Sequence, residues 1–153
     1  MHQSITANWN GKDDLFMKIL TFGEIMLRLK TPEHLRIVQA DGFEASYGGA
    51  ESNVAVSLAT LGDDAAFLTK LPKNPVGDAA FNELRRYGVD TSRILRGGPR
   101  LGIYYFEKGS DIRPTNVLYD RAGSALAEAD TAEFDWESLL KDVDIFFFSG
   151  VTP

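Results

Sequence analysis

The sequence predicts an α/β fold: a parallel-rich central sheet flanked by helices, accompanied by a small separate β-sheet that acts as a lid. Apolar runs without alternation indicate strands buried on both faces, at 18–22, 65–69 and 144–148. Helical patterns at 51–61 and 75–87 separate them, so strand and helix alternate along the chain. Four further runs look half exposed and are assigned to the lid, near 25–47 and 101–120.

The first half of the chain is divided by glycine and proline. The run 18–22 ends at Gly23, and the lid run 43–47 ends at Gly48-Gly49. Within 25–30, apolar residues alternate imperfectly with polar ones, as in a half-buried strand. The helix 51–61 is predicted to bury one stripe along its length, consisting of Val54, Leu58 and Leu61, with Ala55 and Ala59 beside it. Gly62 stands where a C-terminal cap belongs.

The second half repeats these signals. Pro75 begins a helical pattern that Gly88 closes. Two extended lid runs, 101–106 and 116–120, follow on either side of a polar Gly-Ser-Asp loop. A short helix around 136–140 then leads into the final apolar run.

Composition excludes several classes of protein. The 153 residues include no cysteine, which rules out disulfide scaffolds, zinc–cysteine sites and thiol nucleophiles. The two histidines, His2 and His34, have no metal-site or triad spacing. A net charge of −6 disfavours binding to nucleic acid or to an anionic membrane. Residues 1–17 look like a loose tail unlike a secretory signal, so we expect a cytoplasmic protein.

Gly48-Gly49-Ala50-Glu51-Ser52-Asn53 is the most informative segment, because it leads directly into a helix. Glycines allow close approach of a ligand to the backbone, and a helix N-terminus offers free N–H donors. The amide of Asn53 can both donate to and accept from a hydroxyl group. The alternative is an ordinary glycine turn before a polar helix start. The segment is neither a Walker loop nor a Gly-x-Gly-x-x-Gly dinucleotide motif.

The run from Gly48 to Gly62, GGAESNVAVSLATLG, resembles the first signature of the ribokinase-like (PfkB) carbohydrate kinases. Val76-Gly77-Asp78 and Tyr87-Gly88-Val89-Asp90-Thr91 are similar to the next two landmarks of that family, in the same order. The resemblance spans 19–151 and implies the N-terminal half of the ribokinase-like fold. It also implies a homodimer formed through the lid.

Within that family, the chain most resembles the 2-keto-3-deoxygluconate kinases. The matching pieces are Phe22-Gly23-Glu24, Gly102-Ile103-Tyr104-Tyr105 and the run 117–125. Together with the glycine signature, the resemblance implies six sugar-binding residues: Gly48, Gly49, Asn53, Tyr104, Tyr119 and Arg121. A guanidinium can hold a carboxylate by two parallel hydrogen bonds, and tyrosine offers a flat apolar body with a hydroxyl. The alternatives are a solvated charge at a strand end for Arg121 and ordinary packing for the tyrosines.

The family's reaction, as the resemblance implies it, transfers the γ-phosphoryl group of ATP, with Mg²⁺, to a sugar hydroxyl. Its aspartate base lies in a Gly-Ala-Gly-Asp motif, which this sequence does not contain. No catalytic residue, ATP site or metal site is therefore expected in this chain. Two rivals stay open: a kinase for another sugar such as fructose, ribose or a nucleoside, and a non-catalytic sugar-binding domain.

The isolated 153-residue chain is accordingly expected to phosphorylate no sugar. The measurement is ATP-dependent product formation by the purified chain, with fructose, ribose and 2-keto-3-deoxygluconate as acceptors. Product above the rate without protein would contradict this expectation.

Overall fold

The structure, a computed structural model, describes residues 17–150. The expected tail therefore lies outside the described residues, apart from Met17. The elements along the chain are β1 (Lys18–Phe22), β2 (Met26–Lys30), β3 (Glu44–Gly48), α1 (Ala50–Leu61), β4 (Asp64–Leu68), β5 (Lys70–Leu71), α2 (Pro75–Arg86), β6 (Leu95–Arg96), β7 (Ile103–Glu107), β8 (Asn116–Asp120), α3 (Trp136–Leu140) and β9 (Ile145–Phe147). Two 3₁₀ turns occur at Ile37–Gln39 and Thr131–Glu133.

The central sheet has the strand order β4-β1-β9, and both strand pairs are parallel. Its two faces belong to separate hydrophobic clusters, so the strands are apolar throughout rather than alternating. Fully buried Phe67 lies in the cluster toward α1 and α2, and fully buried Leu20 and Leu68 lie in the other. The predicted α/β class with a parallel-rich sheet is confirmed.

Helix α1 packs through part of the predicted face. Ala55 is buried and Ala59 packs against the core, as predicted, and Ser52 and Val56 lie beside them. Leu61, which the prediction placed in the buried stripe, is 80% exposed. The small side chains let the helix axis approach β1 and β4 closely, which a stripe of leucines would prevent. The predicted end is confirmed, because Gly62 caps the helix in the left-handed conformation at φ 99°.

Helix α2 begins and ends as its sequence predicts. The side chain of Asn74 accepts a hydrogen bond from the backbone N–H of Gly77 at 2.9 Å, and Pro75 occupies the first turn. Gly88 follows the helix with φ 82°. These caps fix where α2 begins and ends, between β5 and β6 along the chain.

The second sheet has the strand order β3-β2-β7-β8. Strands β2 and β7 run parallel, and the two outer pairs are antiparallel. All four strands coincide with the predicted half-exposed runs to within two residues at each end. The two-residue strands β5 and β6 were not predicted, because so short a ladder has no sequence period.

Strand β9 lies at one edge of the central sheet. Phe146 packs against Phe22 and Trp136, but Phe148, just beyond the strand, is 59% exposed. Among residues 17–150 this strand packs on one face only, and the uncovered apolar face around 146–148 is the one expected of half of the fold. No helix in that range is both long and apolar enough to cross a membrane.

Candidate functional site

The candidate site lies where the N-terminus of α1 meets one face of the second sheet. Gly48 ends β3, Gly49 precedes the helix, and the N–H of Asn53 donates to the carbonyl of Gly49 at 2.9 Å. A Cβ atom placed on Gly48 would lie 3.3 Å from Asn53 Oδ1 and 3.7 Å from the Tyr104 hydroxyl. Gly48, Asn53 and Tyr104 therefore share one small space, as a common ligand would require.

The two tyrosines are cross-strand neighbours. Tyr104 on β7 pairs with Tyr119 on β8, and their ring centroids lie 5.8 Å apart. Side chains directly opposite each other point to the same face of a sheet, so the rings form one aromatic surface. Tyr119 is 61% exposed. A residue whose role is packing would be more deeply buried, so this exposure argues against the packing alternative for Tyr119.

Arg121 follows β8 directly and reaches back toward the end of β1. Its Nε atom lies 2.9 Å from Glu24 Oε2, and its side chain is 29% exposed. Glu24 is only 5% exposed. Arg121 is therefore not a solvated strand-end charge, because it is paired with a buried carboxylate.

Glu24 links Arg121 to the rest of the site. Its Oε1 atom accepts a hydrogen bond from Ser124 Oγ at 2.5 Å. A Cβ atom on Gly102 would lie 2.6 Å from this Oε1, and one on Gly49 would overlap the carbonyl oxygen of Glu24. The group of Gly48, Asn53, Tyr104 and Tyr119 is thus joined to the Arg121–Glu24 pair through the adjacent Gly49. That the six predicted residues touch a ligand stays a prediction.

Sequence reasoning missed two of the residues that organise the site. Glu24 entered only as part of the Phe22-Gly23-Glu24 match, and Glu51 only as a helix start. Both are buried, and Glu51 accepts hydrogen bonds from the backbone N–H of Ser149, at 3.1 Å, and from its hydroxyl. The available signal was a carboxylate next to apolar or glycine neighbours, a setting that an unpaired charge would not tolerate.

Arg28 is a third residue that the sequence did not distinguish from surface charges. It lies directly beside Tyr104 in the register of β2 and β7, and its Nε donates to Ser46 Oγ at 2.8 Å. Arg28, Tyr104 and Tyr119 therefore form one row across the second sheet.

Asp120, the residue before Arg121, forms an ion pair with Arg100 rather than with Arg121. Arg100 donates to Asp120 Oδ1 at 2.8 Å. This hydrogen bond lowers the pKa of Asp120 below its ordinary value and raises that of Arg100. Asp120, next to Arg121 in sequence, therefore has its own cationic partner.

A cavity of about 230 Å³ borders the site on the other side of β3. Its lining includes Asn53, Tyr47 and Glu83. Burial, and to a smaller extent the charge of Glu83, raise the pKa of the Tyr47 phenol. Gly48 and Asn53 thus separate this cavity from the tyrosine pair.

Among residues 17–150, no group of three or more histidine, aspartate or glutamate side chains could hold a metal ion. The expected absence of an ATP site from this chain stays a prediction.

Residues 17–153 match the family model of the pfkB family carbohydrate kinases. The chain belongs to the PfkB family. A relative from Haloferax volcanii, named 2-dehydro-3-deoxygalactonokinase, is 44% identical over 136 residues, which are 89% of this chain and 42% of the relative. The PfkB resemblance proposed from the glycine signature is thereby confirmed.

Solved structures support both the family and the fold. The 2-dehydro-3-deoxygluconokinase of Thermotoga maritima is 58% identical with a TM-score of 0.87, covering 90% of this chain and 42% of that one. A sugar kinase of Pyrococcus horikoshii in complex with ATP is 26% identical with a TM-score of 0.76, covering 85% and 42%. The chain thus spans less than half the length of these relatives. Its likeness to 2-keto-3-deoxygluconate kinases, an alternative name for 2-dehydro-3-deoxygluconokinases, is confirmed.

Two adjacent glycines should respond differently to alanine. Gly49→Ala places Cβ against the backbone of Glu24, so we expect the free energy of unfolding to fall by about 1–3 kcal/mol. Gly48→Ala meets only side-chain atoms at 3.3 Å or more and should change it by roughly 0.5 kcal/mol or less, while narrowing the site. Urea unfolding of the two variants measures this difference.

Gly42→Ala is the matched control, since a Cβ there meets nothing within 4 Å. Equal destabilisation by Gly48→Ala and Gly49→Ala would contradict the assigned packing.

Proposed function

We propose that the complete protein containing this chain transfers the γ-phosphoryl group of ATP to a hydroxyl of a keto-deoxy sugar acid. The substrate we propose is 2-keto-3-deoxygluconate or its galactonate epimer. The observation that carries this is Arg121, a partly exposed guanidinium held by a buried carboxylate at the end of the strand that carries Tyr119. A neutral sugar offers no partner of comparable strength for such a cation.

Each predicted residue has a physical part in binding such an acid. Arg121 would hold the carboxylate by charge-assisted hydrogen bonds. Tyr104 and Tyr119 would lie against the carbon chain and offer hydroxyls. Gly48 and Gly49 bring backbone N–H groups at the start of α1 close to the ligand, and Asn53 would bind a substrate hydroxyl.

The names of the relatives support the substrate class. The protein from Thermotoga maritima is named for the gluconate-derived acid and that from Haloferax volcanii for the galactonate-derived one. These acids differ in the configuration of one carbon and share the carboxylate. A site built around Arg121 would recognise the shared group, so we propose the class rather than one epimer.

ATP and Mg²⁺ are proposed for the complete protein, not for this chain. The Pyrococcus horikoshii neighbour with bound ATP supports ATP as the phosphoryl donor. In this proposal the chain carries the sugar-binding part of the enzyme. That the isolated chain has no kinase activity stays a prediction. A kinase for a neutral sugar, or a non-catalytic sugar-binding domain, would be favoured if binding ignored the carboxylate.

We also propose that the complete protein is cytoplasmic and forms a homodimer through the second sheet. The sheet face opposite the tyrosine row carries Leu118, which is 56% exposed, together with Phe43 packed edge-on against Tyr105. Exposed apolar side chains of this kind are typical of an interface between subunits. In the complete protein, Leu118→Asp should shift the sedimentation coefficient toward that of a monomer; an unchanged coefficient would remove the proposal.

Arg121→Ala in the complete protein should raise KM for 2-keto-3-deoxygluconate by about 10- to 100-fold, the loss expected when charge-assisted hydrogen bonds are removed. KM for ATP should stay within about twofold of the original value. Steady-state kinetics with both substrates measures the effect.

Arg86→Ala is the matched control, because Arg86 is an exposed arginine on α2 whose partner Glu83, at 3.4 Å, borders the neighbouring cavity rather than Arg121 or the tyrosine pair. If Arg121→Ala left the KM of the sugar acid unchanged, the neutral-sugar alternative would replace the proposal.

A further inference from the structure

We propose that Glu24 is a positioning residue for substrate selectivity: its buried carboxylate sets the orientation of Arg121, and thereby the preference for a substrate with a carboxylate. This inference rests on the proposed function. It concerns a residue that does not itself contact the substrate and acts only through Arg121.

The two oxygens of Glu24 have different partners. Oε1 accepts the hydroxyl hydrogen bond of Ser124, and Oε2 lies 2.9 Å from Arg121 Nε. Among the described residues, Oε2 receives no well-aligned hydrogen bond, although it is buried. The guanidinium charge is therefore the main compensation for the buried charge on this oxygen.

Glu24 is held beside Arg121 by its surroundings. The residue is 5% exposed, and Ser124 donates a hydrogen bond to its Oε1. Its carbonyl and its Oε1 lie where a side chain on Gly49 or on Gly102 would project. This placement of the carboxylate therefore depends on glycine at both positions.

A confined partner pre-orders the arginine. A free arginine side chain loses rotamer entropy when it is immobilised, so an arginine ordered before binding loses less. The carboxylate also has an opposing effect, because its negative charge weakens the positive potential offered to a substrate acid. The fixed geometry on both sides of Glu24 leads us to infer that pre-ordering outweighs this loss.

The other charged groups near the Glu24–Arg121 pair have partners of their own. Asp120 is held by Arg100, and Arg28 donates to Ser46 on the adjacent strand. Glu51, another buried carboxylate, accepts from Ser149 instead. Among residues 17–150, Glu24 is the carboxylate that pairs with Arg121.

The test is a double-mutant cycle in the complete protein, comparing Glu24→Gln, Arg121→Ala and the double variant. Glu24→Gln should raise KM for 2-keto-3-deoxygluconate at least about tenfold, with kcat and the KM for ATP within about twofold. In the Arg121→Ala background, the same substitution should change KM less than about twofold. Glu133→Gln is the control for loss of an ion-paired carboxylate, because Glu133 pairs with Lys70 away from the site, and it should leave KM for the acid within about twofold of the original value.

The outcomes separate this inference from the function on which it rests. If Arg121→Ala raises KM for the acid but Glu24→Gln does not, or lowers it, the inference is overturned and the proposed function stands. If the effect of Glu24→Gln persists unchanged without Arg121, Glu24 acts by another route and the inference is again overturned. No effect from Arg121→Ala would remove the proposed function itself.

Thermal unfolding gives a second readout in case Glu24→Gln alone folds poorly. Arg121→Ala leaves a buried carboxylate without its cation, so Tm should fall, and adding Glu24→Gln should restore part of the loss. A loss of stability in the double variant equal to the sum of the losses in the two single variants would show that the two residues are not an energetically coupled pair.

Discussion

A carboxylate removed from water is stable only beside a cation or hydrogen-bond donors, and Glu24 meets that requirement in an unusual place. It stands between the two sheets, at the end of β1, and its oxygens contact Ser124 and Arg121. The start of α1 and the segment before β7 close around it through Gly49 and Gly102. The relative placement of four separate segments thus depends on one buried charge.

Glu51 performs a related task on the other side of the same region. It lies in the first turn of α1, under Gly23, and accepts hydrogen bonds from Ser149 beyond β9. Glu24 therefore connects the end of β1 in the central sheet to the segment after β8. Glu51 connects α1 to the segment after β9. At both places, hydrogen bonds to a carboxylate rather than apolar packing join two segments of the chain. Hydrogen bonds are directional, so they fix the relative orientation of the two segments as well as the distance between them.

Local signals made most of the fold predictable. Gly23, Gly62, Pro75 and Gly88 divide the chain at element ends, so strands and helices were placed to within about two residues. The packed face of α1 was predicted wrongly at Leu61, because burial depends on how closely the neighbouring strands approach. The Glu24–Ser124 contact spans 100 residues, and no local pattern encodes such a pairing. Gly48, Gly49 and Asn53 stood out from the residue pattern at a helix start, whereas Tyr104, Tyr119 and Arg121 came from the family resemblance. The geometry that the six share came from the fold.

The glycines around Glu24 and Glu51 affect how conservation at these positions should be interpreted. Gly23, Gly49 and Gly102 each stand where a Cβ would strike a glutamate side chain or its backbone. Selection acting on those junctions alone would keep all three positions invariant among descendants. Invariance at these glycines would then reflect the packing between segments of the fold. Attributing it to ligand recognition would extend the apparent binding site beyond the residues that touch the substrate.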